Sequence, residues 1–228
     1  MDLEWDYVAF GESITMGMTS RYAKILEQDL GVAITLHDWQ TPDAHSSNLL
    51  EKLRTNDQLR QELQEAEVIT LNIPLGVIAS AMRIYAFGDP GDCGGADNQD
   101  CIREAFSIYM TDTEEIIAEI VALRRPSEAL IRIMDTWQIK VRETKEAGTF
   151  EMYNEYWREA NTHIAEVATS YGIPVAFVFD AFMGEGGIVD PRDLGLVQED
   201  GLHPTKDGSD LVAELFRNLG YDYAPASP

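Results

Sequence analysis

Positive charge is what this chain has least of. Its 228 residues include 17 Lys and Arg against 40 Asp and Glu, a formal net charge of −23. Nucleic-acid binding draws its affinity from basic side chains that displace phosphate counterions, and no broad basic face can be assembled here. An anionic membrane surface is excluded as the main partner on the same ground. Long apolar runs are also missing. No stretch approaches the roughly 18 apolar residues of a membrane span, so no integral membrane segment is expected. Met1 to Asp6 has neither the basic region nor the apolar core of a signal peptide. Either the protein stays in the cytoplasm, or this chain begins after a removed signal.

Cysteine is nearly absent, and the two present bear on that choice. Cys93 and Cys101 lie eight positions apart in a loop rich in Gly and Asp, residues 88–101. Closing so short and flexible a loop contributes about 2–3 kcal/mol. A disulfide is therefore expected, which implies an oxidising compartment and a secreted or periplasmic protein. The alternative is a pair of free thiols in a cytoplasmic one. Two cysteines and four scattered histidines are too few soft ligands for zinc. Asp89, Asp92, Asp97 and Asp100 crowd the same loop without the alternating spacing of a calcium loop. Its glycines lack the Lys-Ser/Thr of a phosphate-binding loop. No metal and no cofactor is expected.

What is present is an ordinary globular balance, 45% hydrophobic and 25% charged, and a length that suits one domain over 1–228. Strand and helix signals alternate. Strands are expected at Tyr7–Phe10, Val32–Leu36, Val68–Ile73, Ala129–Met134 and Ile173–Phe179. Helices are expected at Ser20–Leu30, Asn48–Ala66 with a break near Asn56, Asp100–Arg125, Phe150–Tyr171 and Lys206–Leu219. Five strands separated by helices make a parallel sheet covered on both faces. Ligands of such sheets lie beyond the carboxyl ends of the strands, so the segments after each strand hold the candidates.

After the first strand comes Phe10-Gly11-Glu12-Ser13-Ile14-Thr15-Met16-Gly17. A serine at a sharp strand-to-helix passage exposes its hydroxyl among backbone N–H groups. Taken alone, such a serine is more often an N-cap. Before the last helix comes Asp200-Gly201-Leu202-His203-Pro204. An Asp three residues before a His can reach its Nδ1, fix the tautomer and stabilise the imidazolium. The plain alternative is an exposed His at a helix start.

Together the two segments resemble the SGNH (GDSL-type) hydrolases. Gly11-Glu12-Ser13-Ile14 is similar to that family's Gly-Asp-Ser block, and Asp200-Gly201-Leu202-His203-Pro204 to its Asp-x-x-His-Pro block, in the same order and positions. The resemblance implies a flavodoxin-like three-layer αβα sandwich on a five-stranded parallel sheet. It implies Ser13 as nucleophile, His203 as general base and then acid, and Asp200 as the orienting carboxylate of a metal-independent ester hydrolase. A small-molecule ester is the expected partner. Acyl transfer would use the same groups, and a catalytically weakened binding module would keep the fold.

Three departures stand out. Glu12 replaces the usual Asp. Asp43 falls where the family places a glycine whose backbone N–H serves the oxyanion hole. Gly76 falls where it places an asparagine side chain. Asn72 lies four residues earlier, inside the expected strand, and only a register slip would bring it to that role. Backbone N–H groups of Ser13, Asp43 and Gly76 are then the expected oxyanion donors. Met16, Met18, Trp39, Met134, Trp137 and Phe182 lie near strand ends. Met16, Trp39, Trp137 and Phe182 are the candidates for lining an acyl pocket, with core packing as the alternative.

Overall fold

The computed structural model describes residues 3–15, 17–42, 45–89 and 91–223. The chain runs β1 (Leu3–Glu12), a 3-10 turn (Ser13–Thr15), α1 (Met18–Leu30), β2 (Val32–Thr41), α2 (Ser46–Thr55), α3 (Asp57–Glu65), β3 (Val68–Asn72) and α4 (Gly76–Phe87). It continues through α5 (Asp100–Leu123), β4 (Leu130–Met134), α6 (Val141–Glu146), α7 (Phe150–Ser170), β5 (Val175–Ala176), α8 (Val178–Met183) and α9 (Lys206–Asn218).

The sheet has five parallel strands in the order β2-β1-β3-β4-β5. Because right-handed crossovers leave β1 in one direction and β3 in the other, the helices divide between the two faces. α1 and α9 pack together, while α5 packs on α2, α3, α4 and α7. This is the flavodoxin-like arrangement, with its strand order reversing between β1 and β3. The segments after those two strands therefore meet at one crevice.

β3 and β4 are buried along their whole length, as expected of central strands covered on both faces. One charged residue interrupts them. Arg132 in β4 is 2% exposed and forms no ion pair with a carboxylate among the described residues. It donates instead to the carbonyls of Ile131 (2.9 Å), Gly220 (3.0 Å) and Asp222 (3.2 Å), tying the segment after α9 to the sheet.

Several expected elements differ in extent. β2 runs five residues beyond Leu36, paired with β1 from Leu3↔Val32 to Glu12↔Thr41. An edge strand keeps one side toward solvent and so tolerates polar residues. His37 Nε2, for example, lies 2.7 Å from Asp6 Oδ1 on the neighbouring strand. The break near Asn56 is real, since the Asn56 side chain accepts the Leu59 N–H at 2.9 Å and caps α3. α4 and α6 occupy stretches read as connections. The expected fifth strand shrinks to Val175–Ala176, because the Asp135 carboxylate accepts the Phe179 N–H at 2.8 Å and starts α8 there. Cys93 and Cys101 are joined in a disulfide. No helix of the described residues is long and apolar enough to cross a membrane.

Candidate active site

Ser13 opens the 3-10 turn at the carboxyl end of β1. The turn depends on the glycine two residues before it. A Cβ on Gly11 would stand 2.7 Å from the Asn72 carbonyl oxygen, so only glycine lets β1 and β3 close up at this point.

Asp200 and His203 come from the loop before α9. Gly201 has φ +68° and turns the chain between them. Asp200 Oδ1 accepts the N–H groups of Leu202 (2.9 Å) and His203 (3.0 Å), and Oδ2 faces His203 Nδ1 at 2.7 Å. Burial pulls the Asp200 pKa upward. The hydrogen bonds from the His203 ring and from those two backbone N–H groups outweigh it and hold the carboxyl below its usual range. The loop is braced from outside. The Arg192 guanidinium forks onto Asp190 (2.8 Å) and Glu143 (2.8 Å) and reaches the Glu199 carbonyl at 3.5 Å. At the other end, Thr205 caps α9 by accepting the Gly208 N–H at 3.1 Å.

These two segments, almost 190 residues apart in sequence, meet in space. His203 Nε2 lies 3.4 Å from Ser13 Oγ. That is a loose contact, of the kind seen in ligand-free catalytic pairs before substrate tightens them. The hydroxyl faces a cavity of about 320 Å³. Glu12, Ile14, His45, Leu75, Gly76 and Thr136 are among its walls. Gly76 is the first residue of α4. Backbone N–H groups of a first helical turn have no acceptor within the helix, and the helix dipole favours negative charge beside them.

The remaining sequence candidates divide. Asp43 and Met16 lie outside the described residues. Asn72 ends β3, 2% exposed, and neither amide atom has a partner among the described residues. It borders a small interior gap with Gln40 and Thr70 rather than the cavity at Ser13. Trp39, Trp137 and Phe182 are not in the walls of that cavity. Trp39 is on the edge strand, its indole N–H bonded to Glu62 and its ring under the Lys52 ammonium. Trp137 and Phe182 stack on each other at 4.5 Å and are completely buried, so they are core. In their place the structure supplies Ala79, Ser80 and Arg83 of α4 and Trp157 of α7. No sequence signal marks the first three, because α4 itself has only a weak helical period. Trp157 shares a helical face with the buried Tyr153, Ala160 and Ile164 and reads as packing.

No protein-family model matches the sequence, and no curated protein is similar to it in sequence. Similarity appears in three dimensions. A lipase from a goat rumen metagenome superposes with a TM-score of 0.76 at 19% identity, covering 96% of this chain and 98% of that one. An acetylxylan esterase from Geobacillus stearothermophilus gives 0.66 at 14% identity, with 99% of both chains covered. A GDSL-like lipase from Bacteroides thetaiotaomicron gives 0.55 at 15% identity, over 94% of this chain and 86% of its own. The strand order, the layers and these superpositions agree: the chain has the SGNH (GDSL-type) hydrolase fold.

Proposed function

We propose that the protein is a serine ester hydrolase working through an acyl-enzyme. The observation that carries this reading is the continuous chain from Ser13 Oγ through the His203 ring to Asp200, opening on a cavity. Ser13 Oγ attacks the ester carbonyl while His203 Nε2 takes its proton. Asp200 holds the Nδ1 proton and stabilises the imidazolium. The tetrahedral oxyanion is received by backbone N–H groups at Ser13 and in the first turn of α4 at Gly76. His203 then protonates the leaving alcohol. Water activated by the same nitrogen releases the acid and frees Ser13.

The solved structures that superpose on this chain include lipases and an acetylxylan esterase, which supports an ester as substrate. The disulfide supports work in an oxidising compartment outside the cytoplasm. Every group the scheme uses belongs to the polypeptide, so turnover should be unchanged by EDTA.

A fluorophosphonate probe tests the proposal, because only an activated serine reacts. It should label the wild-type protein on Ser13. Ser13→Ala should abolish both labelling and hydrolysis of p-nitrophenyl butyrate, a loss on the order of 10⁴-fold or more, with an unchanged circular dichroism spectrum. If wild type remained unlabelled beside a labelled control esterase, the fold would be serving as a binding module instead.

A further inference from the structure

The cavity at Ser13 does not end there. A second space of about 330 Å³ lies between α4 and the α6–α7 side. Ala79, Arg83, Ile139 and Trp157 belong to the walls of both. The two spaces therefore adjoin at these four residues, and the second extends on toward Met82, Phe87 and Tyr153. The second space is mostly apolar, and the Phe87 ring at its margin is 80% exposed.

Arg83 stands where the two spaces adjoin. In a chain with 40 acidic and only 17 basic residues, a guanidinium has many carboxylates to choose from. Among the described residues, Arg83 nevertheless forms no hydrogen bond or ion pair. Among the described residues the one carboxylate in the far wall, Glu143, is already held by Arg192 at 2.8 Å and Lys140 at 3.8 Å. Arg83 is seven residues beyond Gly76, about 10 Å along the helix axis, and helical side chains lean back toward the N-terminus. Its charge is thus within reach of a short substrate arm that starts at Ser13.

We infer that Arg83 is a specificity residue that selects esters carrying a negatively charged group on an apolar acyl arm of roughly six carbons. This rests on the hydrolase reading and adds the substrate class. The acyl arm is assigned to this direction because the alcohol leaves toward His203. Leu202, beside His203, lines the cavity at Ser13 but not the second space. A guanidinium meets a carboxylate or phosphate through paired, charge-assisted hydrogen bonds, while its stem lies along apolar surface. Elsewhere the protein's net charge of −23 repels anions, so recognition must come from a local cation.

Two esters of equal length test this: p-nitrophenyl hexanoate and mono-p-nitrophenyl adipate, which ends in a carboxylate. Arg83→Gln should lower kcat/KM for the adipate about tenfold more than for the hexanoate, mainly through KM. Arg83→Lys should keep part of the preference. An equal loss on both esters, or no loss on either, overturns the inference. Binding of the same esters to Ser13→Ala, with and without Arg83→Gln, reads the site apart from the chemistry. If wild type hydrolyses neither ester yet Arg83→Gln still weakens adipate binding alone, the hydrolase reading fails and the anion site stands. Equal affinity for both esters in these variants removes the anion site whatever the enzyme hydrolyses.

Discussion

Asn72 and Gly76, four residues apart, represent two opposite mismatches between side chain and surroundings. At Asn72 a full amide is sealed beneath the sheet end with no partner among the described residues. Burying such a group unpaired costs about 1–3 kcal/mol. Asn72→Leu, of similar shape, should therefore raise the urea-unfolding free energy by about 1 kcal/mol or more, with labelling of Ser13 retained. At Gly76 the side chain is missing at the place where the resemblance calls for an amide donor. Gly76 has no positive φ, so asparagine suits its backbone. Losing one oxyanion donor typically costs 10²–10³ in turnover, so restoring one should raise it measurably. Gly76→Asn should raise kcat on p-nitrophenyl butyrate about tenfold. A folded variant with unchanged kcat would mean the hole is completed elsewhere. At this scale the sequence was legible where chemistry is local. Asp200 reaches His203 within one turn, and the Gly11–Ser13 passage is a short-range pattern. Trp137 and Phe182 were not legible as core residues, because the direction of a side chain at a strand end is set by what packs there.

At the scale of elements, α8 shows how one buried carboxylate can end a strand. Asp135 is 4% exposed and starts α8 by accepting the Phe179 N–H. Burial pushes its pKa up to about 7, Asp180 adds to the rise, and the N–H groups of Phe179 and Val178 oppose it. The folded state thus holds this proton more tightly than the unfolded chain does. Stability should fall as pH rises from the ordinary carboxylate range to about 7. Asp135→Asn removes the penalty while keeping an acceptor for Phe179. It should raise Tm at pH 8 and leave it nearly unchanged at pH 4, with about 4 kcal/mol as the upper bound on the gain. Equal shifts at both pH values would refute the assignment. Helices with a clear amphipathic period, such as α5 and α7, were legible within a residue or two. α4 was hidden by an apolar stretch in which only Ser80 and Arg83 mark a polar face, and β5 by a competing contact from the segment after β4, which no local window contains.

At the scale of the whole molecule the dominant fact is charge. Surface pairs such as Arg54 with Glu115 and Glu119 are screened by solvent and add little, and acidic residues remain in large excess over basic ones. A net charge of −23 then disfavours the compact state by self-repulsion. Adding salt from about 10 mM to 150 mM shortens the screening length from about 30 Å to 8 Å. Tm should therefore rise over that range, whereas a fold held mainly by ion pairs would lose stability. Composition alone determined this charge. Periodicity determined the alternation of strand and helix, from which handed crossovers dictate a parallel three-layer sandwich. Two short motifs determined which serine, histidine and aspartate to compare. Tertiary structure alone decided that Ser13 and His203 meet, that Asn72 is cut off from them, and that Arg83 lines their cavity. These depend on contacts between segments far apart in the chain, and distance along a sequence carries no information about which of its faces will touch.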